Sequence, residues 1–323
     1  MTSPKTKRFE GFISIYGILI LGLMFSTILL IFSVNKNMSN VSKNTKKLNS
    51  LHYIAKNKIE YIFFNKRQKE ELKNRVYSIY GGKGGLYSFN ITYSSEDIPT
   101  IKSREKVYYK IDGDLTVMKM ETKTYGENFS INSSGRISLM NEIFSAKEAL
   151  VIPDVIQRNK FTEFFEKSKG EILKIFTESV IFNLNGRIFI TDLSIYEKYM
   201  ENPEFETQIL TFSKDITDEA YIFVDGNLKF SGEKSIDLNG VIVVKGNLVV
   251  DVDTNINGIF AQIFNASTEC SKKLTISGQT VQFANNDNLN TVTEYSIEKI
   301  QKYGRKLIDF IDFKVLNFKY GGI

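Results

Sequence analysis

The chain has 323 residues, of which 42% are hydrophobic and 24% charged, a composition typical of folded domains rather than of disordered segments. The net charge is +5, and the excess of positive charge lies between Lys36 and Arg75. A nucleic-acid-binding face would need a basic patch interleaved with aromatic residues on a folded surface, so we expect no nucleic-acid partner. A single cysteine, Cys270, and a single histidine, His52, exclude an intrachain disulfide and a Cys/His zinc cluster.

The N-terminal region is dominated by an uncharged apolar segment, Phe12–Phe32, with the sequence FISIYGILILGLMFSTILLIF. A helix of this length spans about 30 Å, which is the thickness of the hydrocarbon core of a bilayer. The segment has no polar face, and this distinguishes it from the amphipathic helix of a soluble core. The sequence therefore predicts a transmembrane helix at residues 12–34.

The leader MTSPKTKRFEG ends at Gly11, Phe12 follows directly, and no A-x-A signal-peptidase site comes after the apolar run. This arrangement resembles the class III leader of type IV pilins and pseudopilins, which a leader peptidase cuts on the cytoplasmic side between glycine and phenylalanine. The resemblance implies a leader at residues 1–11, a cut between Gly11 and Phe12, a cytoplasmic N-terminus and an exported C-terminal domain in a single-pass inner-membrane protein. An ordinary signal anchor with Gly-Phe at its border is the alternative.

Tyr16 occupies the fifth mature position, where most pilins have a glutamate. Minor subunits resembling the PilX and GspK groups often lack that acid. The resemblance therefore implies a minor subunit of a type IV pilus or of a type II secretion-like pseudopilus, which reaches the cell surface in a filament. Its partners would be membrane lipid, other pilin-like subunits and a leader peptidase.

A membrane-proximal helix is predicted at residues 35–80, because apolar residues recur at three- and four-residue spacing from Leu48 to Phe63 with lysines between them. A simple stalk would show the same pattern. The glycines of residues 81–85 end this helix and begin an α+β head at residues 81–215. Alternating segments predict its strands: YSFNITY, KVYYKI, LTVMKMET, NFSIN and RISLMNEIF, with turns at Asp112–Asp114 and Ser133–Gly135.

The rest of the head is predicted to contain a helix at Asp154–Phe182 and strands at Arg187–Thr191 and Gln208–Phe212. At the C-terminus, residues 293–323 predict an amphipathic helix, Thr293–Phe313, and a tail. This helix would cap the open end of the repeat that precedes it.

Two similar segments predict a β-solenoid-like repeat at residues 216–292: YIFVDGNLKF at 221–230 aligns with VIVVKGNLVV at 241–250, and a third turn begins near Ile259. The repeat corners are Gly226, Asn227, Gly246 and Asn247, because glycine and asparagine adopt corner conformations that β-branched residues avoid. Leu228 and Leu248 are then equivalent inward positions on adjacent rungs. The pattern resembles the C-terminal part of PilX-like proteins and faintly resembles bactofilin rungs. A pair of similar hairpins in a sandwich is the alternative.

No catalytic motif is present: the chain has no second histidine, no G-x-S-x-G and no H-E-x-x-H, so we expect no enzyme, cofactor or metal. The acidic groups Asp251 with Asp253, and Asp215 with Asp218 and Glu219, could bind calcium through loop oxygens, but their spacing matches no EF-hand and solvated turn charges are far commoner. The expected fold class is α+β, with a long N-terminal transmembrane helix and an exported β-rich head. Two other functions stay open: a signal-anchored surface protein with a β-rich ligand- or cell-wall-binding domain, and a membrane-bound enzyme using paired carboxylates.

Overall fold

The computed structural model describes residues 6–80, 87–93, 105–112, 116–125, 130–216, 219–264, 266–284 and 290–321. The chain divides into two compact units, one of Met1–Glu60, Lys123–Ser133 and Tyr320–Ile323, the other of Tyr61–Thr122 and Ser134–Lys319. Its mixture of helices and sheets agrees with the expected α+β class.

The helices in chain order are α1 (Thr6–Phe64), α2 (Lys66–Ile79), α3 (Val155–Ser168), α4 (Leu193–Glu201), α5 (Glu206–Phe212) and α6 (Ile297–Gly304), with short 3₁₀ helices at Glu142–Phe144 and Pro203–Phe205. The strands are β1 (Tyr87–Tyr93), β2 (Glu105–Ile111), β3 (Val117–Tyr125), β4 (Ser130–Ser138), β5 (Leu150–Val151), β6 (Lys174–Phe176), β7 (Ser179–Leu184), β8 (Arg187–Asp192), β9 (Lys214–Asp215), β10 (Ala220–Val224), β11 (Leu228–Gly232), β12 (Ile236–Val244), β13 (Leu248–Val250), β14 (Thr254–Gln262), β15 (Thr268–Cys270), β16 (Leu274–Gln282), β17 (Thr291–Tyr295) and β18 (Lys314–Gly321).

The helical region expected at residues 35–80 is interrupted at Asn65, between α1 and α2. The Asn65 side chain accepts a hydrogen bond of 3.3 Å from the backbone N–H of Gln68, which caps the start of α2. On α2 the buried residues Gln68, Leu72 and Val76 recur every four positions, the spacing of one helical face.

An antiparallel sheet follows, with the strand order β1-β2-β3-β4-β18. The expectation of two strands separated at Ser133–Gly135 is wrong, because β4 runs without interruption from Ser130 to Ser138. Gly135 lies under the Phe318 ring of β18, where an added Cβ would be 2.5 Å from Phe318 Cε1. The glycine thus provides room for an aromatic ring instead of forming a turn. The core of the turn expected at Asp112–Asp114 lies outside the described residues.

Two further sheets lie in the second unit and form what we call the stacked repeat. The front sheet has the order β17-β16-β14-β12-β10-β6, with β5 beside β16, and the back sheet has the order β15-β13-β11-β7-β8-β9. Consecutive rungs are β10 with β11, β12 with β13, and β14 with β15, and they pair in parallel. The third turn, expected to begin near Ile259, is confirmed at β14. The alternative of two similar hairpins in a sandwich is wrong, because hairpin strands pair antiparallel and these rungs pair in parallel.

Leu228 and Leu248 occupy equivalent positions on adjacent rungs, as the sequence predicted. They are direct partners in the register of β11 and β13, and they are 1% and 0% exposed. The neighbouring Lys229 points out of the core and forms an ion pair of 2.8 Å with Asp251. The 20-residue alignment therefore gave the correct register for this pair of rungs.

The stack also contains strands that the sequence did not place in the repeat. β6 and β7 pair with β10 and β11, and β16 continues the front sheet beyond β14. The helix expected at Asp154–Phe182 is consequently wrong beyond Ser168, where α3 ends. The backbone turns at Gly170, whose φ is +83°, and the apolar residues that follow enter the stack as strands.

Two other expected elements differ from the structure. The segment Gln208–Phe212 is helical in α5, and its Ile209 is buried against β7, β8 and α4 side chains. The C-terminal helix α6 spans only Ile297–Gly304 of the expected Thr293–Phe313. A Cβ on Gly304 would be 2.3 Å from the Phe310 ring, so the chain folds back at this point and ends the helix.

Candidate functional site

The first half of α1 is an apolar surface. Every described side chain from Ser14 to Lys47 is exposed, and the most apolar 18-residue window has a mean hydropathy of 2.5 with none of it buried. Among the described residues, α1 is the one helix that is long and apolar enough to cross a membrane. An exposed apolar surface of this extent indicates contact with lipid or with other proteins.

The second half of α1 has a different pattern of burial. Leu51, Ala55 and Ile59 are buried at a spacing of four residues, while Tyr53 and Ile54 between them are exposed. Lys58 is 1% exposed, and its Nζ donates a hydrogen bond of 3.3 Å to the carbonyl oxygen of Lys123. One face of this half therefore belongs to a folded core, whereas the first half has no such face.

One polar group within the apolar segment, the Thr27 hydroxyl, is satisfied inside the helix itself. Thr27 Oγ1 donates to the carbonyl oxygens of Leu23, at 2.8 Å, and Met24, at 2.9 Å. A hydroxyl bonded in this way is compatible with a lipid environment, where an unsatisfied polar group is costly.

The predicted processing residues lie in this helix but form no assembled site. Gly11 and Phe12 are within the helical backbone of α1, and Tyr16 is one turn further on with its side chain 59% exposed. Cleavage between Gly11 and Phe12 stays a prediction, as does the role of Tyr16.

The predicted repeat corners lie in the turns that join β10 to β11 and β12 to β13. Asn227 Oδ1 accepts a hydrogen bond of 2.8 Å from the Asn247 backbone N–H, and Asn247 Oδ1 accepts one of 2.9 Å from the Ser267 N–H. A Cβ on Gly246 would be 2.5 Å from Asn227 Oδ1, so this glycine is required by close approach. The asparagines form a hydrogen-bonded column along three rungs.

Left-handed backbone occurs instead at a second corner, within the long front strands. Gly240, Gly258 and Gly278 have φ values of 142°, 141° and 148°, and they are partners in register. An added Cβ would lie 2.0 Å from Ala220 O, 1.9 Å from Gly240 O and 1.8 Å from Gly258 O, respectively. In the sequence, this corner is marked by the pair Asn239-Gly240, which is repeated at Asn257-Gly258.

A polar column next to this corner receives a side chain from α6. Asn257 Nδ2 donates to Asn239 Oδ1 at 3.1 Å, and Lys299 Nζ donates to Asn257 Oδ1 at 2.6 Å and to Ser277 Oγ at 2.8 Å. Sequence reasoning did not find Lys299, which lies outside the repeat motif.

A charged cluster joins α3 to the stacked repeat, since Glu166 of α3 forms an ion pair of 2.8 Å with Lys245. Asp225 accepts hydrogen bonds from Lys169, at 2.8 Å, and Lys245, at 2.7 Å, and these bonds lower the pKa of its carboxyl group. Both ammonium groups lie over the Phe223 ring, at 4.7 and 5.3 Å from its centre. Each of these charged groups has an oppositely charged partner, so the cluster links the elements that carry them.

Four of the five acidic residues considered as calcium ligands are engaged in other contacts, and the fifth, Asp218, lies outside the described residues. Asp251 pairs with Lys229, and Asp253 Oδ1 accepts a hydrogen bond of 3.1 Å from the Lys273 N–H. Asp215 pairs with Arg187, and Glu219 pairs with Lys306. The part of the chain that the structure describes has no group of three or more His, Cys, Asp or Glu side chains placed to hold a metal.

Comparisons with protein-family models, with curated proteins and with solved structures yielded no match to this chain. The function is therefore argued from the division of α1 and from the surfaces of the stacked repeat.

Proposed function

We propose that this protein is a non-enzymatic, pilin-like minor subunit of a type IV pilus or a type II secretion-like pseudopilus, stored in the membrane by its N-terminal helix. The observation that carries the proposal is the division of α1, an unbroken helix whose first half is apolar and exposed and whose second half has one buried face. Such a helix is suited to a bilayer before assembly and to a bundle of neighbouring helices afterwards.

The continuity of α1 favours a helix that stays on the mature protein. A secretory signal peptide is removed on the C-terminal side of its apolar region. Here the helix passes without a break from the apolar half into residues such as Ala55 and Ile59, which are buried. A cut at the leader, between Gly11 and Phe12, preserves this continuity.

Tyr16 supports a minor role within this proposal. In the filament family, the glutamate at the fifth mature position is thought to neutralise the N-terminal amine of a neighbouring subunit. A tyrosine supplies no negative charge at neutral pH, and a buried amine without a counter-charge costs several kcal/mol. A filament made only of this chain would repeat that cost at each subunit. Abundant homopolymeric filaments from the unmodified chain would contradict the minor role.

N-terminal processing tests the proposal directly. In cells with an active leader peptidase, we expect the mature chain to begin at Phe12, and Gly11→Val to leave the leader attached. Intact-mass measurement of the membrane fraction reads both results. The matched control is Gly17→Val in the same helix, since an added Cβ at Gly17 meets nothing within 4 Å, and this variant should be processed normally. An uncut wild-type chain, or a cut beyond Phe32, would contradict the pilin-like assignment.

A second candidate function is a signal-anchored surface protein whose β-rich domain binds a ligand. A cleft of about 540 Å³ at one end of the stacked repeat favours a binding role. An uncut chain together with ligand binding in this cleft would support the second function over the first.

A further inference from the structure

The stacked repeat has an open end where its two sheets finish in short strands. β6 ends the front sheet and β9 ends the back sheet, and the cleft of about 540 Å³ lies between them. β6 pairs only with Ile222–Val224, so Ala220 and Tyr221 of β10 extend beyond it. The volume falls within the range of roughly 300–1,000 Å³ that small-molecule sites occupy.

The floor of this cleft is formed by nearly buried side chains at the end of the core of the stack. Ile190, Ala220 and Ile222 line it and belong to the core cluster shared by all the rungs. Phe176 and Ile216, which are only partly buried, form the walls. An apolar group entering the cleft would continue the core where no further rung covers it.

Among the described residues that line the cleft, there are three lysines, Lys174, Lys214 and Lys306, and two carboxylates. Both of these described carboxylates are paired, Asp215 with Arg187 and Glu219 with Lys306. Among the described residues, no carboxylate forms an ion pair with Lys174 or Lys214, and both of these side chains are exposed. Lys214 Nζ lies 5.1 Å from the centre of the Phe176 ring, which places its charge at the wall.

We propose that this cleft binds a single-chain amphiphile with an anionic head group. The apolar chain would lie against the partly buried Phe176 and Ile216, above the buried Ile190 and Ile222, and a carboxylate or phosphate would be bound by Lys174 and Lys214. An added peptide strand fits less well, because β6 has three residues and β9 has two, fewer than the five or six of a typical strand. This inference is independent of leader processing.

Photoaffinity labelling of the full chain in phosphatidylcholine nanodiscs tests the proposal. Three diazirine probes of equal chain length are compared: a fatty acid, a lysophosphatidic acid and a neutral fatty alcohol. We expect an anionic probe to label peptides containing Phe176 or Ile216, mapped with chymotrypsin. Labelling by the fatty acid alone identifies a carboxylate ligand, and labelling by the lysophosphatidic acid alone identifies a phosphate ligand. Labelling elsewhere in the chain only, or equal labelling by the neutral alcohol, would overturn the proposal.

A charge-reversal pair separates binding from folding. Lys174→Glu with Lys214→Glu should lower cleft labelling roughly tenfold or more, since a single lost charge-assisted contact already accounts for about that factor. The matched control is Lys234→Glu with Lys272→Glu, two exposed lysines elsewhere on the stacked repeat. Hydrogen exchange of β10 and β12 should be unchanged in both pairs. Equal loss of labelling in the two pairs, or none in the first, would contradict the assignment of the head-group site.

Discussion

The first half of α1 and the core of the stacked repeat are both built from apolar side chains, yet their environments are opposite. Leu21 and Phe32 are 67% and 75% exposed, whereas Leu248 and Phe260 are both 0% exposed. The backbone explains the difference. A helix satisfies its own N–H and C=O groups, so its side chains are free to face lipid or another subunit. A rung has no hydrogen-bond partners of its own and must be paired with the rungs on either side.

The largest expected effect tests this backbone requirement in the stack. Gly258→Ala places a Cβ 1.9 Å from Gly240 O, at a residue whose φ is 141°. We therefore expect the free energy of unfolding to fall by about 4 kcal/mol or more, or the rung to fail to form. Hydrogen exchange measured by mass spectrometry over residues 236–282 reads the result. The same substitution at Gly22 of α1 meets nothing within 4 Å and should leave this exchange unchanged. Protection of the mutant rung equal to the wild type would show that the glycine corner is not required.

A smaller effect tests side-chain burial in the two regions. Leu248→Ala removes a fully buried side chain between rungs and should lower the free energy of unfolding by about 2–5 kcal/mol. Leu29→Ala in the exposed half of α1 should leave the unfolding of the stacked repeat unchanged. Denaturant unfolding in detergent, followed by the β-sheet circular dichroism signal, measures both. Equal losses in the two variants would mean that α1 contributes to the stability of the repeat.

The smallest effect concerns acid. The apolar segment Phe12–Phe32 of α1 contains no carboxylate, but in the second unit hydrogen bonds from Lys160 and Lys314 lower the pKa of Glu142 to about 2. Because this pKa lies below the ordinary value of 4.5, the hydrogen bonds to Glu142 contribute to the free energy of unfolding above pH 4.5. This contribution is lost as the pH falls towards 2. The Glu142 carboxylate is exposed, so we expect it to contribute less than about 1 kcal/mol to the free energy of unfolding.

Glu142→Gln tests this contribution through the pH dependence of the unfolding midpoint. The variant should be slightly less stable than the wild type at neutral pH and equal to it in acid. Glu163→Gln on the neighbouring α3, whose side chain is also exposed, should show no such convergence. A Glu142→Gln variant whose difference from the wild type persists in acid would show that the effect is not electrostatic.

What the sequence revealed depended on how local each signal was. The apolar half of α1 and the partnership of Leu228 with Leu248 followed from runs and repeats within a few tens of residues. The rung of β6 and β7 was missed because the chain inserts β8, α4, α5 and β9 before it reaches β10. The cleft was missed for the same reason, since its rim lysines, Lys174 and Lys214, come from separate strands that only the fold brings together.

The glycine corners determine how the length of the stacked repeat can change during evolution. The turn after β12, residues 245–247, is two residues shorter than the turn after β14, residues 263–267, yet Gly240, Gly258 and Gly278 stay aligned. Small insertions are thus absorbed in turns, while a shift within a front strand would move a side chain onto a neighbouring carbonyl. Related genes should therefore differ in length by duplication or deletion of whole rungs, so that the length of the stacked repeat changes in steps of one rung.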